Sequence, residues 1–207
     1  MATKLKIAIC TVLAVTFFIG ASYKLYSTPI IQEKISEKFT KTVYVDVPVP
    51  AKKQELSKEI VETTTYIKSR NSRISIEIAE LIAMEIHKQA VAHNLPYVLI
   101  TAVIEKESIF NPFVNTSIPG GKQGDTAKGL MQLYQAEGIE IDPNRAFDLS
   151  YNIDTGCQII KKKMELNNNK LEKALANYSG NADGYPSSVL ENVGRIVMFQ
   201  TMLGGTK

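Results

Sequence analysis

Cysteine and histidine are scarce: two of each in 207 residues, with no tryptophan at all. Cys10 lies in an apolar N-terminal run and Cys157 stands alone in the body of the chain, so there is no internal disulfide framework. Cys10 reads as a small buried hydrophobe. His87 and His93 are six positions apart in a helical stretch. That is not the spacing of a helical metal pair, so both read as surface or packing residues and no metal or cofactor is implied. There is no Gly-x-Ser-x-Gly elbow, and without a suitable histidine a nucleophilic triad has no footing. The loop Asn115–Thr126 carries Gly120, Gly121, Lys122 and Gly124 but lacks the order of a phosphate loop, which excludes that reading. Low-complexity runs are also missing, and the length suits one globular domain with appendages.

Charge is unevenly placed. Residues 1–75 hold twelve Lys/Arg against six Asp/Glu (+6), whereas 76–207 hold twelve against fifteen (−3). An acidic globular part argues against a nucleic-acid-binding domain. The basic half adjoins an apolar segment, which suits an anionic membrane or wall surface. Lys4 and Lys6 precede Ile7–Ala21, a run with the length of a signal-peptide core and slightly short of a spanning helix. Residues 1–21 are therefore a signal peptide, with Ile19-Gly20-Ala21 as an acceptable cleavage site, or an uncleaved membrane anchor. Either one places the rest of the chain outside the cytoplasm.

Residues 22–73 read as an extended or helical spacer. Val43–Pro50 alternates like a strand but carries two prolines, and Lys52–Lys68 has helical character. The globular domain is assigned to 74–207. Its first helix starts at Asn71-Ser72 or Ser75 and runs from Ile76 to Asn94, with Ile78, Leu81, Ile82, Ile86, Ala90 and Val91 as the apolar side. Further helices are predicted over Asn152–Leu166, Leu171–Tyr178 and Ser187 to about Met202, with Asn167–Asn169 as a turn. Nothing beyond residue 75 requires a long strand, so the fold class is mainly α.

The chemically odd residue is Glu107, near the end of a helix that opens at Leu95 and is stopped by Asn111-Pro112. At helical spacing it shares a face with Ile100, Val103, Ile104 and Phe110. Glu105 lies roughly 200° around the helix, near Thr101 and Ser108, and reads as solvent-facing. Burial and the negative end of the helix dipole both raise the pKa expected for Glu107. A carboxylic acid kept protonated near neutral pH is what a general acid needs. On this residue alone, a glutamate that pairs with Lys106 or Lys128 remains the plainer reading.

Three segments stand in order: Glu107-Ser108-Ile109-Phe110-Asn111-Pro112, Gly129-Leu130-Met131-Gln132-Leu133 and Ala174-Leu175-Ala176-Asn177-Tyr178-Ser179-Gly180. Together, over about residues 76–200, they resemble the catalytic domain of the soluble lytic transglycosylases, whose architecture is similar to goose-type lysozyme. Asn152–Gly156 is similar to the family's Asn-Ile, three on, Gly helix start. The third segment reads Asn-Tyr-Ser-Gly where Ala-Tyr-Asn is commoner, so Tyr178 carries over while Asn177 and Ser179 do not. The link from Ser117 to Gly129 is longer than the family's usual one.

The resemblance implies a lysozyme-like helical domain that cleaves the β-1,4 bond between N-acetylmuramic acid and N-acetylglucosamine in peptidoglycan. Glu107 would be the only acid/base, closing a 1,6-anhydro ring without water, so that one carboxylate suffices where most glycosidases use two. Ser117, Met131, Gln132 and Tyr178 would bind substrate. Tyr178 can donate to Glu107, Gln132 suits an N-acetyl group and Met131 offers a pliable apolar wall. Gly129 lets backbone approach the sugar or the Glu107 helix, or simply makes a turn. A hydrolysing muramidase, with Asp125, Asp142, Asp148 or Asp154 as second carboxylate, and a non-catalytic peptidoglycan-binding module are the alternatives. The expected partners are glycan strands, a membrane through residues 1–21 and a wall-spanning assembly. The expected location is the periplasm or cell envelope, or a virion if the gene belongs to a phage.

Overall fold

Ser57, Ser75 and Asp148 each accept a hydrogen bond from the backbone N–H three residues on, and each starts a helix. In the computed structural model these caps organise a mainly α unit described over residues 56–118, 125–134 and 139–204. Helix α1 is Lys58–Arg70, α2 Ile76–His93 and α3 Tyr97–Ser108; strands β1 (Asn115–Ser117) and β2 (Thr126–Lys128) follow. Helices α4 (Leu149–Leu166), α5 (Leu171–Tyr178) and α6 (Tyr185–Gly204) complete the described part. The signal or anchor reading of 1–21 and the spacer reading as far as residue 55 lie outside the described residues. Among the described residues no helix is long and apolar enough to cross a membrane.

Helix α3 is the centre. Eight of its twelve residues are buried, and α2 and α6 pack along it. Ile100, Val103 and Ile104 are fully buried, each a contribution of about 1.5–3 kcal/mol. Helix α1 packs on α2 and α6 and places Tyr66 and Ile67 in the core. The compact unit spans Glu55–Lys207 and so takes in α1, although α1 falls within the stretch read as spacer. Helix α4 packs on α2 and α5, and α5 on α6.

Several expectations change here. Glu105 does not face solvent; it is 4% exposed, and Thr101 and Ser108 beside it are buried too. The single-stripe wheel fails because α3 is enclosed on nearly every side. Conversely Val91, assigned to the apolar side of α2, is 84% exposed, while Ile82, Ile86 and Ala90 are buried as expected. Helix α3 ends at Ser108 as expected, but what turns the chain there is Ile109 and Phe110, with left-handed φ of 49° and 58°, ahead of Asn111-Pro112.

Strands β1 and β2 pair antiparallel, Asn115 with Lys128, Thr116 with Ala127 and Ser117 with Thr126. A tight turn follows, with Gly129 at φ 77° and Gln132 at φ 48°, sealed by reciprocal backbone bonds between Lys128 and Leu133. Asn152 holds this turn from α4. Its Oδ1 accepts from the Met131 N–H at 2.8 Å, and its Nδ2 donates to the carbonyls of Ala146 (2.7 Å) and Lys128 (3.0 Å). A side chain at Gly129 would meet Asn152 Nδ2 at 2.3 Å and the Ala146 carbonyl at 2.5 Å. Gly129 therefore serves the close approach to Asn152, not contact with the Glu107 helix.

Candidate active site

Glu107 occupies the last turn of α3 and is half-buried. Burial raises its pKa above the ordinary 4.5; a hydrogen bond from Tyr185 and the charge of Lys106 act in the opposite, lowering direction. The Tyr185 hydroxyl donates to Glu107 Oε1 in a short hydrogen bond. Tyr185 is the first residue of α6 and only 5% exposed, and its own pKa is raised by burial and by the Glu107 charge. A tyrosine in this setting stays a neutral donor at any physiological pH.

Tyr178 is not the donor to Glu107. Its hydroxyl donates to the Met131 carbonyl at 2.8 Å, while its ring stacks on Tyr185 with centroids 6.3 Å apart and planes at 26°. Burial raises its pKa, with the Glu107 charge as the next cause. Tyr178 therefore joins the Gly129–Leu133 turn to the tyrosine that holds the acid. The three motif segments converge on this point, with Tyr185 as the member that sequence reasoning missed. Asp183-Gly184-Tyr185-Pro186 reads as a turn, but the signal was there. Stepping back one turn from buried Val189 and Ile196 lands on Tyr185, and Pro186 fits a first helical turn.

The other predicted residues divide. Met131 is 0% exposed and its side chain lies where a Cβ on Gly156 would be, at 2.3 Å from Sδ. Its side chain is core, not an open wall, and its contribution to the site is the carbonyl that receives Tyr178. Gln132 spends its amide on the carbonyls of Gly129 (2.9 Å) and Val114 (3.2 Å), which leaves Oε1 as the atom with no partner among the described residues. Ser117 is exposed on β1.

The candidate second carboxylates are engaged elsewhere. Asp148 caps α4, Asp154 accepts from His93 at 2.7 Å and from Gln158, and Asp142 accepts from the Asn144 N–H. Asp125 accepts from Tyr134 and lines a cavity of about 230 Å³ whose walls include none of Glu107, Tyr178 and Tyr185. Both histidines pack structurally: His87 stacks on Tyr97 at 4.3 Å and His93 pairs with Asp154. Burial pushes the Cys157 thiol up to about 12, so it is inert. Among the described residues no cluster of His, Cys, Asp or Glu is arranged to hold a metal.

The site is thus a half-buried carboxyl at a helix end, held by a tyrosine inside a mainly helical domain consistent with a lysozyme-like fold, an arrangement suited to acid–base chemistry. Residues 84–183 match the family model described as the Transglycosylase SLT domain, which supports a lytic transglycosylase family for this part of the chain. The domain is accordingly of the transglycosylase type that acts on peptidoglycan. Helix α1, Tyr185 and the rest of α6 lie outside the matched residues.

Proposed function

We propose that this protein is a peptidoglycan lytic transglycosylase that cleaves the N-acetylmuramic acid–N-acetylglucosamine β-1,4 bond, with Glu107 as its only acid/base. The observation that carries this reading is the Glu107–Tyr185 pair: one half-buried carboxyl with raised pKa, oriented by a phenol, while Asp142, Asp148 and Asp154 serve other contacts. Tyr185 occupies Oε1, which leaves Oε2 to carry the proton in the reaction. Oε2–H protonates the glycosidic oxygen as the muramic C1–O bond breaks. The resulting carboxylate, stabilised by Tyr185, then takes the proton from the 6-hydroxyl as O6 bonds to C1. Glu107 regains its proton, water is not consumed, and the product ends in a 1,6-anhydro ring.

Gln132 Oε1, the free acceptor of that side chain, suits the N–H of an acetamido group. Ser117 on the exposed strand β1 and the Tyr178–Tyr185 stack are the other substrate-facing candidates. Residues 1–21 would export the domain, or hold it at the membrane facing the wall, where an assembly that must cross peptidoglycan could use it.

Mass spectrometry of muropeptides released from purified peptidoglycan tests the reading. Anhydro-ended products, reduced by about a hundredfold or more in Glu107→Gln, are expected. Reducing-ended products would replace it with a hydrolase, and wall binding without release would replace it with a binding module.

A further inference from the structure

Directly behind the acid, on the opposite side of α3, is a second carboxylate with a full set of partners. Glu105 Oε2 accepts from the Tyr66 hydroxyl at 2.6 Å, and Oε1 accepts from Arg70 Nε at 2.6 Å and Arg195 Nη1 at 2.9 Å. Arg195 is itself braced by Asn192 Oδ1 at 3.0 Å, and Asn192 Nδ2 donates to the Ala102 carbonyl of α3. Tyr66 and Arg70 belong to α1, and Arg195 to α6, the helix whose first residue is Tyr185. None of the three lies within the family-matched residues 84–183.

The backbone beside this node is strained. Ile109 and Phe110 are consecutive left-handed residues without being glycine, a conformation that L side chains disfavour. The β-branched Ile109 is the worse case. Beyond the backbone bonds of Ile109 to Glu105 and Asn111 to Ser108, two restraints reach this turn from α1. Asn71 Nδ2, at the end of α1, donates to the Ile109 carbonyl at 2.9 Å, and the buried Phe110 ring meets Tyr66 edge-on with centroids 6.3 Å apart. Without them the chain would relax by continuing or fraying the helix, and Glu107 is within that last turn.

We propose that the C-terminal edge of α1 (Tyr66, Arg70 and Asn71), acting with Arg195 through Glu105 and the Ile109 carbonyl, is a positioning clamp that holds Glu107 against Tyr185. Arg195 sets α6, and hence Tyr185, in register with α3, while Asn71 and Tyr66 hold the strained turn. A buried ion cluster is by itself weak evidence for stability, since apolar replacements often serve as well. What distinguishes a clamp is that it acts on the geometry of the acid two residues away. This inference rests on Glu107 being the acid of the proposed reaction.

The test uses the full chain and four variants: Arg70→Ala, Arg70→Lys, Glu105→Gln and Asn71→Ala. Two readouts are taken, turnover on soluble glycan strands and the titration of the ¹³C-labelled Glu107 carboxyl, assigned with Glu107→Gln. In Asn71→Ala and Arg70→Ala kcat should fall about tenfold or more with KM little changed, because misplacement by about an ångström is costly to chemistry but not to binding. The Glu107 titration should leave its wild-type position, because burial and the opposing Tyr185 bond both depend on this turn, and Arg70→Lys should recover part of both effects. Glu105→Gln keeps shape but removes charge and should behave like Arg70→Ala. Folded variants that melt earlier yet keep wild-type kcat and an unmoved Glu107 titration would reduce the cluster to a structural ion pair. If Arg70→Ala and Glu105→Gln fail to fold, Asn71→Ala, which removes only the bond to the Ile109 carbonyl and the one from the Arg73 N–H, decides by the same criteria. A wild type that releases nothing from peptidoglycan would overturn the proposed function, while the titration would still decide the clamp.

Discussion

The Glu107–Tyr185 hydrogen bond works on both protonation states of the acid. When Glu107 is protonated on Oε2, Tyr185 donates to a carbonyl-like Oε1; when it is ionised, the same bond becomes charge-assisted and stronger. Removing it in Tyr185→Phe should therefore raise the Glu107 pKa further, since the bond opposes the effect of burial. The alkaline limb of the pH–rate profile should move to higher pH, and the maximal rate should fall by about tenfold to a hundredfold. Glu107 also sets a stability trend. Its folded pKa lies above the unfolded 4.5, so the folded state binds the extra proton and stability declines as pH rises from 4.5 through the folded value. Glu107→Gln should melt higher than wild type at neutral pH, and thermal denaturation should show that gap closing below pH 4.5. At this scale Glu107 was legible because its motif and its odd place on an apolar face coincide. Tyr185 and the true burial of Glu105 were not, because partners 78 and 90 positions apart in the chain leave no local pattern.

At the level of elements, the Gly129–Leu133 turn and the start of α4 form one unit. Asn152 binds the turn through the Met131 N–H and the Lys128 carbonyl and ties it to the Ala146 carbonyl, and Gly156, one turn on, leaves room for the Met131 side chain. Gly156→Ala would place a Cβ within 2.9 Å of three Met131 side-chain atoms. Met131 would have to move, and with it the carbonyl that holds Tyr178. A loss of about 1–3 kcal/mol is expected in chemical denaturation, accompanied by reduced glycan cleavage. Helix positions were mostly readable: the caps at Ser75 and Asp148 and the three-asparagine turn are local chemistry. The strand pair was not, because three-residue strands carry too few alternations to register.

For the whole molecule, the family-matched stretch 84–183 is less than the working unit. It lacks Tyr185, Arg195 and all of α1, including the Tyr66 that covers Phe110 and hydrogen-bonds Glu105. A piece limited to 84–183 would expose Glu105 without its cationic partners and the apolar faces of α2 and α3. It should show no cooperative thermal transition by circular dichroism and no glycan cleavage, whereas a piece spanning 56–207 should melt cooperatively.

The sequence by itself determined the helical class, most helix limits and the three segments that meet around Glu107, because caps, periodicity and motif order are properties of neighbouring residues. Tertiary structure alone decided which tyrosine holds Glu107, that Glu105 faces inward, and that a helix read as spacer braces the acid's turn. Those outcomes depend on which surfaces enclose α3, and a helix surrounded on nearly every side has no solvent face for its own residues to announce.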